Sequence, residues 1–143
     1  MRHMIVSRVT PVLVACLVVT ACSGTKGGSA APSMDAAPKR PAEVTPAAIA
    51  LGDSIFNNAT CQRCHGKDAV GGQNGPKLTT GQWLHGSGSY EDIVKTITTG
   101  VPREAIKDPT RRFNMRARGG VQPLLTDDQV KAVAANVWSL SNK

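Results

Sequence analysis

Aromatic residues are scarce: two tryptophans, two phenylalanines and one tyrosine make up 3% of a 143-residue chain. So few large rings leave a domain of about 100 residues with a thin core of its own. They also provide no series of stacking platforms for a nucleic acid strand, and no groove-reading motif accompanies them. No stretch alternates apolar and polar residues as a half-buried strand does, which argues against sheet architectures. No apolar run reaches the roughly 20 residues that a helix needs to cross a bilayer. A second cysteine pair that would complete a four-coordinate zinc site is also missing.

What the chain does have is Cys61-Gln62-Arg63-Cys64-His65, two thiols two residues apart followed at once by an imidazole. C-x-x-C-H reads as a c-type haem attachment site, in which both sulfurs add across the vinyl groups of one haem and the adjacent histidine ligates the iron. The cofactor expected is therefore one haem c, attached through Cys61 and Cys64, with His65 on the metal. A thioredoxin-like dithiol is the competing reading, but it wants a strand and a βαβ pattern around it. A zinc site is the other, and only His85 remains downstream as a nitrogen ligand for it.

The front of the chain reads as a separate element. Arg2 and Arg8 precede the apolar run Val12-Leu13-Val14-Ala15-Cys16-Leu17-Val18-Val19, the pattern of an export signal. The run closes on Val19-Thr20-Ala21-Cys22, which resembles the lipobox of bacterial lipoproteins; that resemblance implies lipidation of Cys22 and a membrane-surface location on the periplasmic side. With Cys16 removed in the signal, Cys22 lipidated and Cys61 and Cys64 on the haem, no thiol is left for a disulfide. Residues Ser23 to Val44 are Gly, Ser, Ala, Pro and Lys with almost nothing bulky, and cannot bury enough surface to fold. The organisation expected is a signal over 1–21, a lipidated cysteine and flexible tether over 22–44, and a folded domain over 45–143.

Within the domain the pattern is helical. Thr45-Pro46 is a helix start, and Ala48, Leu51, Ile55 and Ala59 recur on one side, with Gly52 and Phe56 alongside. The glycine-rich stretch Gly66 to Leu78 follows the cysteine motif, and a backbone carbonyl within it, that of Pro76, is the candidate acceptor for the other ring nitrogen of His65. Leu78 is expected against the haem face. Ser89-Tyr90-Glu91-Asp92 is a capping-box variant in front of Ile93, Val94 and Ile97, and Gly100 and Pro102 end that helix. Val101 to Pro123 is irregular and long enough to be functional, so it is expected to reach over the open face of the haem. A last helix starts at Thr126 or Asp127 and carries Val130, Val133, Ala134, Val137, Trp138 and Leu140. The fold class is all-α, three to five helices and loops around one covalent haem, and the buried macrocycle supplies the apolar volume the side chains lack.

From Thr45 to Leu140 this order of features resembles the class I cytochromes c. The matching residues are Gly52 and Phe56, Cys61-x-x-Cys64-His65-Gly66, Gly75-Pro76-x-Leu78, a methionine in a downstream loop, and Val133-Ala134-Ala135-x-Val137-Trp138-x-Leu140. The resemblance implies that the first and last helices cross near Gly52 and that a methionine joins His65 on the iron. Met115 is the methionine of that loop, since Met34 lies in the tether; His85 is the rival ligand. Asn136 stands where many relatives carry an aromatic residue, and Arg116 follows Met115 where proline is common.

Charge completes the reading. The 17 Lys and Arg fall to 15 when Arg2 and Arg8 leave with the signal, against 10 Asp and Glu, a balance of +5. Arg103, Lys107, Arg111, Arg112, Arg116 and Arg118 cluster around Met115, a collar suited to acidic docking surfaces on redox partners. The function expected is that of a tethered one-electron carrier in a respiratory chain, not an enzyme by itself and without a small-molecule substrate. Two alternatives stay open: a haem subunit of a larger periplasmic oxidoreductase, and an open-site haem protein for peroxide or a small gas.

Overall fold

The computed structural model describes residues 39–143, so the signal, Cys22 and most of the tether lie outside the described residues. Among the described residues there are four α-helices: α1 (Pro46–Asn58), α2 (Cys61–His65), α3 (Tyr90–Thr99) and α4 (Asp127–Ser141). Short 3-10 turns lie at Lys67–Ala69, Arg103–Ala105 and Ala117–Gly119. The only extended pairing among these residues is a single antiparallel bridge between Val101 and Met115, so the all-α expectation holds. No described helix is long and apolar enough to cross a membrane.

Local chemistry places each helix end. Thr45 Oγ1 accepts the N–H of Ala48 at 3.1 Å, and Pro46 fills the first helical position, where its missing N–H costs nothing. Ser89 Oγ accepts the N–H of Asp92 at 3.1 Å. The reciprocal half expected of Ser89-x-x-Asp92 is not made, because the Asp92 carboxylate turns to the N–H and hydroxyl of Ser87, each at 2.7 Å. A full capping box occurs instead at α4, where Thr126 and Gln129 satisfy each other's backbone N–H groups.

The core lies between α1, α3 and α4. Phe56, Ile93, Ile97, Val130, Val133, Ala134, Val137 and Trp138 are buried together, and the Tyr90 hydroxyl donates to the Lys131 carbonyl at 3.3 Å, tying α3 to α4. Gly52 is the point of closest approach. A Cβ built there would sit 1.9 Å from the Ala132 carbonyl oxygen, so only glycine lets α1 meet α4 at this distance.

Two sequence expectations need correction. Leu51, assigned to the apolar face of α1, is 52% exposed; the buried stripe runs through Gly52 and Phe56 instead, because α4 packs at the glycine. Val44, assigned to the tether by its composition, is only 2% exposed and belongs to the core, immediately ahead of the Thr45 cap. One apolar residue at the end of a polar segment gives no periodic signal.

Candidate haem site

Short α2 holds the two thiols. Residues three apart on a helix share a face, so Cys61 and Cys64 are presented together, and His65 follows on the last turn. Both cysteines are free thiols and partly buried. Burial pushes the Cys61 thiol up, and the neighbouring Cys64 adds to this, while a backbone hydrogen bond opposes it.

His65 is fixed from behind. Its Nδ1 lies 3.0 Å from the Pro76 carbonyl oxygen, which makes Nδ1 the donor and leaves Nε2 as the free coordinating nitrogen. The Phe56 ring stands 6.3 Å from the imidazole, tilted by 50°, and buttresses it from α1. Burial lowers the His65 pKa below its ordinary value; the hydrogen bond to Pro76 works against that shift, and the charge of Arg111 adds to it. The result favours a neutral ring, the form able to bind a metal.

The Pro76 carbonyl reaches His65 because the glycine loop lies flat on α2. A Cβ at Gly75 would meet Cys64 backbone atoms at 2.8 Å and His65 Nδ1 at 3.1 Å. Within the loop, Gly71 N–H donates to the His65 carbonyl at 2.6 Å and Leu78 N–H to the Ala69 carbonyl at 2.9 Å. Asn57 of α1 ties the same loop down, with its side-chain oxygen accepting the Asp68 N–H at 3.0 Å.

The cysteine turn and the end of the glycine loop face one cavity of about 350 Å³. Cys61, Cys64 and His65 line one part of its wall, with Pro76 and Leu78 beside them, and Met115 lines it from the long loop. His85 lines it too, so the structure brings both candidate sixth ligands to the same space. The position of Met115 is fixed by its backbone: Val101 N–H donates to the Met115 carbonyl at 2.8 Å and Met115 N–H returns to the Val101 carbonyl at 3.2 Å. Phe113, 59% exposed, also borders the cavity.

The residues fit a haem c. Two adjacent free thiols, a neutral imidazole with one nitrogen already engaged, and an apolar wall are the donor set and surroundings it requires. By contrast, no group of three or more His, Cys, Asp or Glu among the described residues could hold a bare metal ion. The Cytochrome c family model matches residues 49–141. The chain belongs to the cytochrome c family. Membership brings a covalently bound haem c, and Cys61 and Cys64 stand in the position that takes it.

Similar proteins extend the comparison. This cytochrome c domain is 42% identical over 96 residues to the Cbb3-type cytochrome c oxidase subunit CcoP of Rubrivivax gelatinosus, a match covering 67% of this chain and 27% of that subunit. The CcoP subunit of Rhodobacter capsulatus is 37% identical over 91 residues, covering 62% of this chain and 28% of its own length. The chain thus spans little more than a quarter of these relatives. Cytochrome cL of Methylophaga aminisulfidivorans is similar in structure, with a TM-score of 0.48 and 25% identity over 68% of this chain and 55% of that one.

Sequence reasoning missed the residues that tie the loops together. Thr60, just ahead of Cys61, donates its hydroxyl to the Gly119 carbonyl at 2.6 Å. Arg111 Nε donates to Asp108 Oδ2 at 3.0 Å, and its NH1 donates to the carbonyls of Gly75, at 2.9 Å, and Gly72. Arg103 likewise donates to the Arg111 carbonyl. Apart from the Asp108 carboxylate, these partners are backbone oxygens, which leave no trace in residue identity.

Proposed function

We propose that this cytochrome c domain carries single electrons, with His65 and Met115 as the residues that would hold the haem iron. The observation that carries the reading is one apolar cavity lined by the Cys61-Cys64-His65 turn and by a methionine whose backbone is pinned by Val101. The haem, when bound, supplies a one-electron couple at its iron. Pro76 orients His65 by accepting its Nδ1–H and makes the ring a stronger donor. A thioether paired with a histidine would suit electron transfer, since that donor pair raises the potential. No small-molecule substrate enters this reading, and the domain is not an enzyme by itself. The test is Met115→Ala: the near-infrared charge-transfer band of the oxidised protein is expected to disappear, and the reduced variant is expected to bind carbon monoxide while the reduced wild type is expected not to. A band that survives the substitution shows that Met115 is not its source, and a wild-type oxidised spectrum without the band returns the ligand role to His85.

The likeness to CcoP supports a second reading, in which the same domain serves as the haem-bearing part of an oxidase-type assembly. Purification from native membranes separates the two, because a free carrier elutes alone and a subunit brings its catalytic chain. In either case the export signal, the lipid on Cys22 and the tether would place the domain at a membrane surface on the periplasmic side. Mass spectrometry of the mature N-terminus checks the lipid.

A further inference from the structure

The loop that bears Met115 leaves α3 at Val101. Its neck is the Val101–Met115 bridge, and past the methionine the turn at Ala117–Gly119 is held by Thr60. Between the two bridge residues of the neck, residues 102–114 form no helix or strand apart from the 3-10 turn at Arg103–Ala105.

One side chain joins this lobe to the opposite wall of the cavity. Arg111 has a side chain only 21% exposed; its Nε is held by Asp108 within the lobe, and its NH1 reaches the carbonyls of Gly72 and Gly75. Gly75 precedes Pro76, the residue that accepts the His65 Nδ1–H. Asp108 is itself braced, accepting the Thr110 N–H at 3.0 Å and its hydroxyl at 2.6 Å. Arg103 then holds the Arg111 backbone from the start of the lobe. A continuous chain of hydrogen bonds therefore runs from Thr110 through Asp108 and Arg111 to the loop that holds His65.

We propose that Arg111 is a positioning residue, a latch that shuts the Met115 lobe against the His65 loop and so sets how firmly the methionine occupies its coordination position. The inference rests on Met115 being the iron ligand. A guanidinium fork can engage a carboxylate and two carbonyls at once; a lysine ammonium carries the same charge without that planar geometry. The latch therefore acts through shape, and charge alone does not replace it.

The probe is imidazole, titrated into the oxidised holoprotein, where it must displace the methionine and hence requires the lobe to open. Arg111→Gln is expected to raise the imidazole affinity roughly ten-fold or more, the weight of a hydrogen bond from a charged donor, and to lower the reduction potential. Arg111→Lys is expected to behave like Arg111→Gln, and Asp108→Asn to shift in the same direction by less. Thermal unfolding that drops while imidazole affinity stays at the wild-type value would mean that Arg111 only stabilises the fold, and the latch falls. Full rescue by Arg111→Lys also overturns it, in favour of a charge effect. A wild-type spectrum without the near-infrared band removes the ligand reading itself, and the latch with it, so the two failures are told apart before any variant is made.

Discussion

Asp92 accepts both the N–H and the hydroxyl of Ser87, and these bonds hold its carboxyl below the ordinary carboxylate range. A folded pKa depressed below the unfolded one contributes stability above the unfolded value and loses it as pH falls through the folded one. Asp92→Asn is therefore expected to lower the melting temperature at neutral pH, and the gap from wild type should close as the pH drops below the usual aspartate pKa. Thermal melts from pH 7 to pH 2 check this; a gap independent of pH would place the effect elsewhere. At this scale the sequence was readable wherever spacing dictates chemistry. The pairing of His65 with Pro76 followed from a glycine-rich loop after the histidine. The true partner of the Asp92 carboxylate did not, because Ser89 is nearer along the chain than Ser87, and only the turn at Gly86 brings Ser87 to it.

The packing of α1 on α4 hinges on the absence of one side chain. Gly52→Ala places a carbon 1.9 Å from a backbone oxygen of α4, which side-chain motion cannot relieve. The expected loss is about 3 kcal/mol in denaturant unfolding of the holoprotein; a loss near zero would show that the helices separate at little cost. The existence and starts of all three longer helices were legible, since Thr45, Ser89 and Thr126 cap them as their positions suggest, whereas the end of α1 was not: it stops at Asn58, ahead of Ala59 and the separate α2. The rotation of α1 was not, because Leu51 and Gly52 are neighbours and hydrophobicity alone points to the leucine. Asn136 illustrates the same limit. It is buried at the crossing, and its side-chain amide nitrogen finds no hydrogen-bond partner, a conflict that no periodic pattern of residues announces.

Across the molecule, the basic collar divides into two uses. Arg103, Arg111 and Arg118 spend donors on backbone carbonyls, whereas Lys107, Arg112 and Arg116 are exposed and their side chains point to no hydrogen-bond acceptor among the described residues. The exposed set, close to the cavity wall at Lys107 and Arg116, is expected to favour electron exchange with anionic reagents over cationic ones. That preference should fade as salt rises from about 0.01 M to 1 M and the screening length shrinks from about 30 Å to 3 Å. Stopped-flow rates with a matched pair of oppositely charged reagents test it, and equal rates at low salt would dismiss the collar as a docking device. The composition announced this charge, but only the fold separated the side chains that brace from those that remain outward.

The bridge at Val101 and Met115 also uncouples length from position. Because both ends of the lobe are zipped side by side, residues can be added or removed between them without dragging the sulfur along. Variation in the size of this segment is then a cheap route to new partner-facing shapes. The lobe could be exchanged as a cartridge between related scaffolds, provided that Arg111 and its acceptors travel as a set.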